Sequence, residues 1–284
     1  SDYGSFLVSA QVGNLAQTDY SGYDPYGNSS VFTPYLMNVT LLAYRDTTMA
    51  LTPTTHGALL EVRFPAYNPT ADFDQTRRVL ITLPDASRGS DQPSMRMDVK
   101  QGTVSGQTSA NSGGVPTTKD GRQLFTHFLE ARVNPSILKR TSMTFGSKMA
   151  TLEFDPTDPA TQTVTIRIGT SFISAAQAAS NLERELPAAS TMDTVTAAAR
   201  QEWRGSLSRV NILDPGSVAP AGADGSAVAA GAMYGYGSGS TSLRGDEWGF
   251  EESEDHIATF YTNLYRALTF PRLLTETDAQ SGAD

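Results

Sequence analysis

Two hydrophobic periods divide the chain. Up to about residue 165, apolar and β-branched residues fall in short, partly alternating runs. These are YLMNVTLLAY (Tyr35–Tyr44), GALLEVRFP (Gly57–Pro65), RRVLITLP (Arg77–Pro84), SMRMDVKQGTVSGQT (Ser94–Thr108), QLFTHFLEARV (Gln123–Val133), MATLEFDP (Met149–Pro156) and QTVTIRIGTSF (Gln162–Phe172). A period of two places alternate side chains on opposite faces of a strand, so each run predicts a half-buried β-strand. Turn clusters such as PDASRGSDQPS and TTKDGR separate them. Many short strands without intervening helical patterns predict a mainly β fold, with an antiparallel β-sandwich over residues 1–172.

After Phe172 the period lengthens. Ser174 and Gln177 form the capping-box pattern SAAQ, and Ala178, Leu182 and Leu186 share one helical face until Pro187 stops the run. A second helix is predicted within STMDTVTAAARQEWRGSLSRV, capped by Ser190 or Thr191, with Asp193 suited to the first-turn dipole. Its apolar stripe is Val195, Ala199, Trp203, Leu207 and Val210. Residues 173–210 thus read as a helical linker, and residues 211–250 as an aperiodic insertion rich in Gly, Ala and Ser. Residues 251–284 read as the start of an incomplete helical domain, in which Ile257, Phe260, Tyr261, Leu264 and Leu268 form a broad apolar face. The closing TETDAQSGAD is polar and expected to be unanchored.

Composition narrows the function. A formal net charge of −9 argues against nucleic-acid binding, which depends on neutralising phosphates. No apolar run approaches the roughly 18 residues of a membrane span. Cysteine is absent, which removes disulfides, thiolate nucleophiles and Cys-based zinc sites together. Two sequons, NSS at Asn28 and NVT at Asn38, with abundant Ser, Thr, Gly and Tyr, point to an extracellular or secretory location.

Residue chemistry alone assembles no catalytic or metal site. His56, His127 and His256 are far apart in sequence, with no HExxH or GxSxG pattern. His56 stands at a turn into a strand, His127 on a strand's polar face and His256 near a helix start. The acids around Trp248 in DEWGFEESED read as a solvated segment before a helix, and DPTDP (Asp155–Pro159) as a turn rather than a calcium loop.

A longer pattern emerges from VTIRIGTSFISAAQAASNLERELP, DTVTAAARQEWRGSLSRV and FYTNLYRAL taken in order. Together they resemble glycoside hydrolase family 92, the calcium-dependent exo-α-mannosidases. The matches are Gly169, Ser171, Phe172, Ser174, Gln177, Ala178, Asn181, Leu182, Glu183 and Glu185, then Ala199, Arg200 and Trp203, then Phe260 to Thr262 and Leu264 to Arg266, with Pro271 and Arg272 beyond. Earlier, ALTPTTHGALLEVRFP resembles a strand pair of that family and places His56 on its motif.

The resemblance implies a β-sandwich, a helical linker and the first helix of an (α/α)6 barrel. It implies inverting hydrolysis of terminal α-mannosides, in which a glutamic acid protonates the leaving group and an aspartate activates water. It also implies Ca2+ on the mannose hydroxyls, and all of these groups in the barrel, outside this chain. The chain alone is therefore expected to be inactive. Trp203, Phe260, Tyr261 and Tyr265 are then interdomain packing residues, and Gln177, Asn181 and Glu185 brace the joint. The expected partners are mannose-containing glycans and the rest of the barrel, or another chain, covering residues 257–272. The alternative is a catalytically silent structural or carbohydrate-associating module of an extracellular assembly.

Overall fold

The computed structural model describes residues 6–13, 30–83, 94–98, 101–109, 126–136, 140–144, 149–210, 254–268 and 275–276. The strands in chain order are β1 (Leu7–Val12), β2 (Val31–Phe32), β3 (Met37–Leu41), β4 (Thr47–Pro53), β5 (Gly57–Arg63) and β6 (Arg77–Thr82). They continue as β7 (Ser94–Asp98), β8 (Thr103–Thr108), β9 (His127–Asn134), β10 (Arg140–Thr144), β11 (Met149–Phe154) and β12 (Thr163–Ser171). Helices α1 (Ala175–Glu185), α2 (Met192–Leu207) and α3 (Glu254–Leu268) follow. One antiparallel sheet has the order β1-β6-β11-β10 and the other β2-β3-β4-β5-β12-β9-β8-β7. The sandwich expected from the alternation is present, and its strands near the predicted runs are shorter than those runs.

Alternation fixes which residues enter the core. Leu60 and Val62 of β5, Val164 and Ile166 of β12, and Leu129 and Ala131 of β9 pack with Val79 and Ile81 of β6 and Leu152 and Phe154 of β11. Ten such side chains, nearly all without solvent exposure, supply the apolar burial that offsets ordering the chain. Leu59 breaks the alternation of β5 because its other face is covered too: it packs with Leu186 at the end of α1 and with Val195 and Met192 of α2. A central strand with both faces covered is apolar on both sides, which explains the Leu59–Leu60 pair.

The long run Ser94–Thr108 is two strands, β7 and β8, because Gly102 takes a positive φ of 62° and lets the chain reverse. Strands β1, β2 and β10 have no counterpart among the predicted runs, and β4 is touched only by the strand pair of the family resemblance. Helix α2 ends at Leu207, so Val210, expected as the last residue of its apolar stripe, lies past the helix and is 40% exposed. The chain divides into two compact units, residues 1–201 with 274–284 and residues 202–273. The Gly/Ala/Ser-rich segment 211–250, Asn28, the acids of DEWGFEESED before Glu254, and Pro271 lie outside the described residues.

Candidate functional site

Among the described residues of the first unit, a buried polar cluster sits where β12 hands over to α1. Ser174 begins it: its hydroxyl accepts from the Gln177 N–H at 3.0 Å, the N-cap expected from SAAQ. The Gln177 amide turns inward and donates to Asn181 Oδ1 at 3.1 Å. Gln177 and Asn181 are both buried, one helical turn apart, on the face that also carries Ala178 and Leu182. Asn181 Nδ2 donates to the Thr170 carbonyl at 2.9 Å and to Glu276 Oε2 at 2.8 Å, and its Oδ1 also accepts from Arg184 at 2.8 Å. All four hydrogen-bonding positions of the amide are used, as a buried amide requires.

His56 supplies the second part. It stands at the tip of the β4–β5 hairpin, closed by Thr54 N–H donating to the Gly57 carbonyl at 2.9 Å. The His56 carbonyl accepts from the Thr170 N–H at 2.7 Å and its hydroxyl at 3.0 Å, tying the tip to β12. Glu185, at the end of α1, receives the His56 backbone N–H on Oε2 at 2.9 Å and faces the ring Nδ1 with Oε1 at 2.6 Å. Ring Nε2 lies 2.9 Å from the Thr275 carbonyl. Both ring nitrogens therefore face acceptors, an arrangement that the doubly protonated ring satisfies with one N–H for each. Burial pushes the Glu185 carboxyl up, but the His56 backbone N–H and then its ring more than offset this and leave it below its ordinary value.

Helix α1 is also fastened at its far end. Arg167 of β12 donates to the Leu186 carbonyl at 2.6 Å, satisfying a helix-terminal carbonyl with a cation. Arg167 lies opposite Arg132 of β9 in register, and Glu183 of α1 reaches both, at 3.5 and 3.8 Å. Glu130 lies 3.6 Å from Arg132; burial raises its carboxyl above the ordinary value, Arg132 opposes this, and Glu183 adds to it.

The remaining sequence candidates are placed as follows. His127 opens β9, half-buried, and stacks on Phe172 with centroids 4.5 Å apart. His256 lies in the first turn of α3. The DPTDP turn spends its carboxylates on itself: Asp155 Oδ1 accepts from the Thr157 N–H and hydroxyl, and Asp158 Oδ1 from the Ala160 N–H. Buried Arg77 closes this turn through the Asp158 carbonyl and Thr161. Asn38 lies within β3, paired to Ala50 and half-buried.

In the second unit, Trp203 and Tyr265 meet edge to face at 5.0 Å, as do Phe260 and Tyr261 at 5.4 Å. The Tyr261 hydroxyl donates to the Val210 carbonyl at 2.9 Å. Phe260 and Leu268 of α3 remain exposed.

The expected loose tail is corrected at two positions, Thr275 and Glu276, which are bonded into the junction. Their anchoring depends on partners 95 to 219 residues away in sequence, so no local pattern carries it. Among the described residues, no group of three or more His, Asp or Glu could hold a metal ion. The carboxylates of Glu185 and Glu276 are already engaged by protein donors, so a calcium site does not fit this junction. Chemically the cluster is a closed network that holds chain to chain.

No protein-family model matches the sequence, and no curated protein matches it. Solved structures do. The family GH92 inverting mannosidase BT2199 from Bacteroides thetaiotaomicron VPI-5482 is similar over 98% of this chain and 31% of its own, with 25% identity and a TM-score of 0.64. The GH92 family glycosyl hydrolase ccman5 is similar over 96% of this chain and 33% of its own, with 17% identity and a TM-score of 0.62. The family GH92 α-mannosidase BT3965 from Bacteroides thetaiotaomicron shares the fold over 74% of this chain, at 14% identity and a TM-score of 0.50. The chain thus spans about a third of the length of the first two. Sandwich, strand-to-helix junction and helices together make the chain a glycoside hydrolase family 92-like N-terminal region.

Proposed function

We propose that the chain is the sandwich-and-linker portion of a secreted α-mannosidase that hydrolyses terminal α-mannosides with inversion. The observation that carries this reading is the likeness to an inverting mannosidase over 98% of the chain, joined to the ordered motif series around the β12–α1 junction. Inversion needs two carboxyl groups far enough apart to admit a water. The carboxylates of Glu185 and Glu276 are bonded to protein donors, and on this reading the acid and base belong to the barrel that the family resemblance implies. Calcium, whose hard oxygen coordination suits vicinal hydroxyls, belongs there too. Trp203, Phe260, Tyr261 and Tyr265 then present the aromatic surface on which that barrel packs. Glycosylation at Asn28 and Asn38 goes with the extracellular location.

The test is mannose release from an α-linked mannobiose by the intact source protein, with and without a calcium chelator, following the anomer first formed by NMR. Chelator-sensitive release of the β-anomer is expected. An intact protein that releases no mannose supports the silent structural or carbohydrate-associating module instead. The present chain by itself is expected to be inactive in the same assay.

A further inference from the structure

We propose that Thr275 and Glu276 form a strap that locks the polypeptide following α3 onto the sandwich, with Glu276 as its key and the β12–α1 turn as its receptor. The Glu276 side chain is nearly buried, at 9% exposure, and each carboxylate oxygen is taken by a different element. Oε1 accepts from the Phe172 N–H at 2.8 Å and Oε2 from Asn181 Nδ2 at 2.8 Å. The receptor is built for an acceptor. The β12 ladder ends at Ser171, paired to Phe128, and the next backbone N–H, that of Phe172, donates to Glu276. Asn181 is oriented with its NH2 toward Thr170 and Glu276 because Gln177 and Arg184 both donate to its oxygen.

Hydrogen bonds to an ionised group are the stronger kind, and a group with two acceptor oxygens fits two donors as no amide does. The second clasp, His56 Nε2 on the Thr275 carbonyl, is made to backbone and accepts any residue at position 275. Specificity therefore resides in Glu276. This strap is independent of the activity proposed above.

Amide hydrogen exchange of the full chain, read by mass spectrometry, tests it. In Glu276→Gln and Glu276→Ala, the peptide holding Phe172 should exchange roughly ten- to a hundredfold faster, while the β5 peptide keeps its protection. Asn181→Asp should release the strap with Glu276 intact, because two carboxylates then face each other. The near-isosteric Glu276→Gln keeps the test open if the alanine variant fails to fold. Unchanged exchange at Phe172 in either Glu276→Gln or Asn181→Asp would overturn the strap. So would equal acceleration of the β5 peptide, which would mark global destabilisation.

Discussion

Gly57 and Gly169 face each other across β5 and β12, and Gly169 lies directly against α1. A methyl group added at Gly169 would meet the Ala178 carbonyl oxygen and stand 2.5 Å from Leu182 Cβ and 2.8 Å from Leu182 N. These are backbone and helix-face atoms that cannot swing aside, so the absent side chain is what lets α1 lie on the sheet. Gly169→Ala is expected to cost about 1–3 kcal/mol, the usual range for overpacking. Gly205 in α2 makes the control, since a methyl there meets nothing within 4 Å. Gly205→Ala should stabilise by about 0.5–1 kcal/mol through helix propensity. Urea midpoints of the two variants moving in opposite directions would bear this out; a neutral Gly169→Ala would contradict the close approach.

The His56–Glu185 contact sets an acid limit on stability. Glu185 titrates lower in the folded chain than its ordinary value of 4.5, so the folded state holds its proton more weakly than the unfolded state does. Its contribution is complete above that ordinary value and is lost as pH falls through the lower folded value. Glu185→Gln should lower stability at pH 7 by about 1–3 kcal/mol, the scale of hydrogen bonds to a charged group. It should also flatten the decline in stability below about pH 4.5. Denaturant midpoints from pH 7 to pH 3 check both; equal acid slopes in the variant and its parent would remove Glu185 from the account.

Period and punctuation made much of this fold legible. The alternation in QTVTIRIGTSF put Val164, Ile166 and Ile168 inside, and SAAQ located the start of α1, because both signals are local. Strand β10 (RTSMT) and the two-residue β2 were not legible, since their pairing is set by neighbours rather than by a run of their own. The joint itself was readable through the ordered motif that includes Gln177, Asn181 and Glu185. Glu276 was not: an acid in a polar tail has no period, and its partners Phe172 and Asn181 are distant in sequence.

Trp203 on α2 and Tyr265 on α3 meet edge to face. Such a contact contributes beyond area burial because the positive ring edge faces the negative ring face. A double-mutant cycle with Trp203→Leu and Tyr265→Leu should give a coupling of about 0.5–1.5 kcal/mol in thermal or urea unfolding. Additive effects within about 0.3 kcal/mol would mean that the rings act independently.

Glu183 presents a different balance, because it stands between two like charges. Arg132 and Arg167 occupy directly opposed positions on β9 and β12, a destabilising cross-strand pair unless an anion intervenes. Glu183 reaches both, yet its side chain is half exposed, so water and salt screen what it contributes. Glu183→Gln should therefore cost no more than about 1 kcal/mol, with a smaller effect at high salt. A sharper consequence falls on Glu130, whose carboxyl is raised first by burial and then by Glu183, against Arg132. Because that carboxyl binds its proton more tightly when folded, it adds stability as pH falls through its raised value toward the ordinary one, opposing Glu185. Removing the Glu183 charge should shift the Glu130 titration to lower pH. Side-chain carbonyl NMR of Glu130 in both proteins measures that shift, and an unmoved or upward titration would show that Glu183 exerts no charge on the sheet.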